Sequence, residues 1–243
     1  MFKIKKRRHK PLYKKFISLR ANIQYRRRLM LLKFKKQKWQ RLNAYLQRLQ
    51  NRRKKKFRLY DLRKHYLPKF YNPFKQKYKS KLLNKKKISL FYGNFLEKYL
   101  KKQVNLVVEN KKKILKNQTN LNSFFLSLIE KRLDVVLYRS HFVLSIRNAQ
   151  QLIIHRHIKV NGVLTTNPSY NLKQGDIIEV NKKMQSLVYS TIISSHIWPL
   201  PPKYLQINYK TFEILFNGNI EFQNMSTQFS FWPDIYMLLR YYR

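Results

Sequence analysis

Fifty-four lysines and arginines stand against ten carboxylates in 243 residues, a net charge of +44 that works against the chain's own compaction. Charge on this scale calls for a polyanion around the protein. Nucleic acid fits, because its phosphates reward many Lys and Arg contacts through counterion release, and an anionic membrane surface fits as well. Composition alone does not choose between them. The charge is graded along the chain: residues 1–60 carry 24 Lys and Arg with no acid, residues 61–120 carry 17 against 3, residues 121–180 carry 7 against 4, and residues 181–243 carry 6 against 3. The first half is an electrostatic arm. The second half has the balance of an ordinary globular unit, and 44% apolar residues are enough for a core of one or two domains.

Several classes drop out early. The absence of Cys removes disulfides, thiolate nucleophiles and Cys-based zinc sites. No stretch approaches the roughly 18 uninterrupted apolar residues of a membrane span; the nearest is the Ser-broken run from Leu187 to Trp198, so no span is expected. The opening MFKIKKRRHK lacks the apolar segment of a secretory signal and the Ser or Arg dominance of a transit peptide. Abundant Lys, Asn, Ile, Phe and Tyr with four Gly suit an AT-rich genome such as an organellar one.

From Ser18 to about Lys56 there is no Pro or Gly, and Trp39, Leu42, Tyr45, Leu46 and Leu49 recur at helical spacing among basic residues. A long basic helix, or two, is expected. Within this arm Arg7, Arg8, Arg26, Arg27, Arg28, Arg52 and Arg53 are candidate RNA contacts, since no acid balances them as it would on a merely solvated face. Pro68 and Pro73 break the pattern, and a second helical stretch is expected after Gly93, with Phe95, Leu96, Tyr99 and Leu100 on one face. Residues 103–122 read as a polar loop or insertion.

A helix is expected over residues 123–140, carrying Leu126, Ile129, Leu133, Val136 and Leu137 inward, and Ser145 is the N-cap of the next helix, with Ala149, Leu152 and Ile153 buried. His157 to Val160 alternates as a half-buried strand does. Asn161-Gly162 turns it into Val163-Leu164, and Ile177 to Val180 closes the sheet. The expected fold class is α+β: a helical basic N-terminal part, a small α-α-β domain with its helix pair packed on a short, mostly antiparallel sheet, and an aromatic-rich C-terminal segment. Eleven aromatics lie from Tyr204 to the C-terminus, and core packing is preferred over base stacking for them because few basic residues interleave.

The chain is a poor candidate for an enzyme. Its four glycines, Gly93, Gly162, Gly175 and Gly218, are isolated and cannot build a phosphate-cradling loop. His155 and His157 are the one close His pair, with no carboxylate beside them to complete a metal site. Asp134 could orient the neighbouring Arg132. No catalytic residue, cofactor or metal is expected.

From Arg132 to Val180 the segments RLDVVLYRSHF, NAQQLIIHRHIKVNG and NPSYNLKQGDIIEV, in fixed spacing, resemble the RNA-binding domain named for small-subunit ribosomal protein four. Two flanks also look like that ribosomal protein: KKKISLFYGNFLEKYLKK from Lys85 to Lys102, and PPKYLQINYKTFEILF from Pro201 to Phe216, and the wording LPPKYLQINYKT from Leu200 to Thr211 is nearest to the mitochondrial branch. The resemblance implies four regions: a basic extension over 1–80, a helical body segment over 81–130, the RNA-binding domain over 131–182, and a segment packing back on the body over 183–243. It implies that Arg132, Arg139, His155, Arg156, Lys159 and Lys173 touch rRNA, joined by Arg147 and the basic run Lys85, Lys86 and Lys87. Arg would hold phosphates in two-pronged contacts. Where the family opens its second helix with Thr-Arg, this chain has Ser145-Ile146, and Arg147 follows about 100° further round.

The role implied is that of a structural constituent of the mitochondrial small ribosomal subunit, in the matrix rather than in a plastid. It would bind the 5′ domain of the small-subunit rRNA, beside neighbouring ribosomal proteins and mRNA near the entrance channel, without forming a homo-oligomer. Two other readings are an accessory RNA-binding protein of an RNA-modifying enzyme and a free nucleic-acid-binding protein. Preference for structured RNA over duplex DNA at equal salt separates them.

Overall fold

The structure, a computed structural model, describes residues 74–110, 120–195 and, with interruptions, 197–242, together with Lys15, Leu19, Ile23, Arg41, Ala44 and Arg48. Arg7, Arg8, Arg26, Arg27, Arg28, Arg52 and Arg53 lie outside the described residues, as does most of the long helix expected before Lys56. Leu19 and Ile23 are both buried in the core.

Helix α1 (Phe74–Phe91) starts directly after Pro73 and crosses the boundary expected at residue 80. It ends at Gly93, whose φ of +80° suits a residue without a side chain. A Cβ there would also stand 3.3 Å from Ile146 Cγ2 on a later helix. Helix α2 (Glu97–Glu109) buries Leu100, Val104 and Val107 at helical spacing. The loop expected from residue 103 is therefore corrected: Val104 and Val107 continue the apolar stripe through a stretch that is otherwise polar.

The single helix expected over residues 123–140 is two helices, α3 (Leu121–Glu130) and α4 (Leu133–Arg139). The break has a cause outside the segment. Arg132 is extended and bridges to Asn171, while the Leu172 N–H donates to the Lys131 carbonyl and the Leu133 N–H to that of Tyr170, each at 2.9 Å. Helix α5 (Ile146–Ile154) begins as the sequence indicates, its Asn148 N–H donating to the Ser145 hydroxyl at 3.3 Å. Ile146, Ala149, Leu152 and Ile153 form its buried stripe, against α4.

Among the described residues five strands follow: β1 (Ile158–Val160), β2 (Val163–Leu164), β3 (Ile177–Val180), β4 (Leu205–Asn208) and β5 (Glu213–Phe216). All pairings are antiparallel and the order is β2-β1-β3-β5-β4. The β1–β2 turn is Asn161-Gly162 with φ of +51° and +78°, the geometry that a two-residue hairpin favours. The α+β class is as expected, with a wider sheet, because Ile214 and Phe216 on β5 bury their side chains beside β3. Burial of each is worth roughly 1.5–3 kcal/mol. Between β3 and β4 lies α6 (Gln185–Ser195), and α7 (Ile235–Tyr242) packs on α1. Among the described residues no helix is long and apolar enough to cross a membrane.

Candidate nucleic-acid interface

Two of the basic residues expected to touch RNA are buried, and a third, Lys85, is half-buried. Arg132 is buried, its Nε and Nη2 donating to the Asp134 carboxylate at 3.0 and 2.8 Å, with the guanidinium over the rings of Phe95 and Tyr99. Asp134 also accepts from Gln150 at 2.9 Å, so this pair ties α4 to α5. Lys85 bonds Glu97 and lies 4.5 Å from the centre of the Tyr241 ring, fastening α1 to α7. Partial burial works against its charge, but the bonds to Glu97 and Tyr241 outweigh this and raise its pKa.

Arg139 is the most enclosed. It grips the Glu130 carboxylate with Nη2 at 2.6 Å and Nε at 3.0 Å, and its Nη1 donates to the Gln228 carbonyl at 2.8 Å. Glu130 is fully buried and accepts two further bonds, from the hydroxyls of Tyr92 and Tyr204. One carboxylate thus joins α1, α3, α4 and the segment entering β4. Four donors on one anion, in a site closed to water, satisfy the desolvation that a buried ion pair otherwise leaves unmet. Arg132 and Arg139 are thus engaged inside the fold, and Lys85 is half-buried against Glu97 and Tyr241.

Burial first, and then the negative charge of Glu130, hold the Tyr92 and Tyr204 phenols protonated well above their ordinary range. A raised folded pKa for an acid that is neutral when protonated adds stability fully present below the unfolded pKa, about 10, and lost as pH rises beyond it. Above pH 10 each phenol is expected to steepen the fall of stability by up to about 1.4 kcal/mol per pH unit. Urea unfolding from pH 9 to 11 checks this: Tyr92→Phe or Tyr204→Phe should flatten the slope, and a slope indifferent to both excludes the linkage.

Four exposed basic side chains gather at the start of β1. Helix α5 ends in two bonds, from the Arg156 N–H to the Ile153 carbonyl at 3.0 Å and from the His157 N–H to that of Leu152 at 3.1 Å. This is the Schellman pattern, whose left-handed position ordinarily goes to Gly. Here it holds Arg156, with φ of +60° and its side chain in solvent. An L-residue in that conformation costs about 1–2 kcal/mol. On either side His155 is exposed and His157 half-buried, their rings stacked 6.3 Å apart. The Asn181 N–H donates to the His157 carbonyl at 2.9 Å, so Lys182 and Lys183, both exposed, follow immediately beside this turn. The sequence reading overlooked these two lysines, although the antiparallel pairing of β1 and β3 necessarily brings residues after Val180 next to those before Ile158. The result is a cationic rim of His155, Arg156, Lys182 and Lys183 set on rigid elements.

The other expected contacts are dispersed. Arg147 is half-buried near the start of α5, and burial lowers its pKa. Lys159 is half-buried on β1 opposite Glu179. Lys173 is exposed in the turn that Asp176 anchors beside Asn161, at the other end of β1 from Arg156. Lys86 is exposed on α1 and Lys87 half-buried. No group of three His, Cys, Asp or Glu side chains able to hold a metal is gathered among the described residues.

Residues 131–178, which contain α4, α5 and the first turns of this sheet, match the family model of the S4 domain. The chain is 34% identical over 105 residues to the small ribosomal subunit protein uS4 of Roseobacter denitrificans, covering 42% of this chain and 48% of that one. It is 30% identical over 135 residues to uS4 of Pelagibacter ubique, covering 56% and 64%. With the small ribosomal subunit protein uS4m of Dictyostelium citrinum it shares 42% identity over 79 residues, covering 32% and 24%. The chain thus carries an S4 domain and is similar to uS4 proteins over part of its length. It spans about half the length, or less, of most of the curated uS4 relatives that it matches. The S4 domain places the cationic rim at the junction of its second helix and its sheet, and Lys182 and Lys183 lie just beyond the matched residues.

Proposed function

We propose that this chain is a structural, non-catalytic constituent of a small ribosomal subunit, and that its S4 domain holds the 5′ domain of the small-subunit rRNA through the cationic rim. The observation that carries this reading is Arg156, exposed in a backbone conformation that favours Gly, at the edge of the matched domain. Strain kept at an exposed cation is a reason to look for a ligand there. RNA duplexes offer phosphates and 2′-hydroxyls across a shallow groove, so a rigid basic rim suffices to bind them by shape. Lys173, Lys86, Lys87 and Arg147, with the basic arm that contains Arg7, Arg8, Arg26, Arg27, Arg28, Arg52 and Arg53, add phosphate contacts at a distance, whereas Lys159 stands opposite Glu179 on the sheet.

The subunit is that of the mitochondrial ribosome, a reading supported by the uS4m relative and by the wording from Leu200 to Thr211. In it the protein contributes to assembly, beside other ribosomal proteins and near the entry of mRNA. The test is filter binding of the full chain to small-subunit rRNA over a range of salt. Arg156→Gln, Lys182→Gln and Lys183→Gln together should lower the magnitude of the log–log salt slope by roughly 2 to 3, one released counterion per lost contact. An unchanged slope places the RNA elsewhere on the protein.

A further inference from the structure

The outward face of the sheet is built differently from the rim. Across the strands run Lys159 on β1, Glu179 on β3, Glu213 on β5 and Asn208 on β4, in direct cross-strand register. Beside this row lie Ile177 and Leu215, themselves paired, and Leu164 opposite Lys159. Leu164 is 50% and Ile177 43% exposed, and Glu213 and Asn208 are exposed as well. Like charges directly opposite each other cost an antiparallel sheet stability.

Carboxylates are scarce in this chain, and the others mostly have work inside the fold. Among the described residues Glu97, Glu130 and Asp134 pair with Lys85, Arg139 and Arg132. Asp176 anchors a turn, and Asp234 accepts from the Met237 N–H at the start of α7. Glu179 and Glu213 close no ion pair within 4.0 Å among the described residues; Glu213 accepts only from the Thr211 hydroxyl. Two adjacent carboxylates over an apolar floor repel phosphate and suit ammonium and guanidinium groups carried on an apolar backbone strand.

We propose that this sheet face docks a Lys/Arg-rich segment of another protein, with Glu179 and Glu213 facing its cations and Ile177, Leu215 and Leu164 its apolar side chains. Charge complementarity selects the partner. On a chain of net charge +44 this patch is locally acidic, so a basic segment meets attraction here and repulsion over most of the remaining surface. The inference depends on the ribosomal reading only for the particle in which the partner is sought.

Photocross-linking in the assembled particle tests it, with Ile177→p-benzoylphenylalanine in the full chain and the same substitution at Arg156 as a separate probe of the rim. The expected result is a cross-link from position 177 to a peptide of another protein containing at least two Lys or Arg. Glu179→Lys with Glu213→Lys should lower its yield about tenfold or more, since like-charge juxtaposition across an interface costs several kcal/mol. Glu179→Gln with Glu213→Gln, which removes the cross-strand repulsion, should lower the yield in the same direction without unfolding the sheet. A cross-link to RNA, none at all, or a protein cross-link indifferent to both variants overturns the proposal. Loss of RNA cross-linking at position 156 alone speaks against the ribosomal reading and leaves the sheet face to be judged by its own probe.

Discussion

Arg139→Met is expected to lower folding stability by about 3–5 kcal/mol, the usual consequence of leaving one member of a buried ion pair without the other. Glu130 would keep the Tyr92 and Tyr204 hydroxyls but lose both guanidinium bonds in a site closed to water. A loss of this size is a large share of the roughly 5–15 kcal/mol that holds a domain together. Urea unfolding of the two proteins measures it. Glu130→Gln with Arg139→Met should recover part of the loss, because no charge then remains to be solvated. A fall of less than about 1 kcal/mol in the single variant would mean that water reaches the pair.

Arg156→Gly is expected to move stability and RNA affinity in opposite directions. Gly relieves the left-handed strain at φ +60°, and stability should rise by about 0.5–1 kcal/mol, less than the full strain because Gly also loosens the unfolded chain. Loss of a charge-assisted contact, at about 1.5–3 kcal/mol, should weaken binding to small-subunit rRNA by roughly 10- to 100-fold. Melting temperature and filter binding on the same preparation check both signs. A residue serving only the fold would give a change in stability with no change in affinity.

The sequence is most legible where local chemistry decides. Ser145 caps α5, Asn161-Gly162 turns β1 into β2, and the apolar stripe of α5 lies where its spacing puts it, because each depends on neighbours within a few residues. The orienting part expected for Asp134 beside Arg132 is also found, two residues being close enough to read. What escapes is set by distant segments. The break between α3 and α4 depends on residues 170–172, and the breadth of the sheet depends on β5.

The site shows the same division. Arg139 and Arg156 look alike as isolated basic residues, yet one meets Glu130 across a helix break and the other projects from a strained turn. The sign of a charge does not tell whether the fold neutralises it. Lys182 and Lys183 become visible only when strand register is considered along with charge, since the pairing of Ile158 with Val180 is what sets them beside Arg156. Most of the basic arm lies outside the described residues, and its place in the account rests on charge.

Ultraviolet cross-linking of the tagged full chain in organelle extract, followed by sequencing of the attached RNA from gradient fractions, tests the central claim most directly. The account predicts a compact cluster of cross-links in the 5′ domain of small-subunit rRNA, reduced by Arg156→Gly and by Lys182→Gln with Lys183→Gln. Cross-links scattered over transfer RNAs, messages or DNA, or a cluster in rRNA that these variants leave intact, would contradict it.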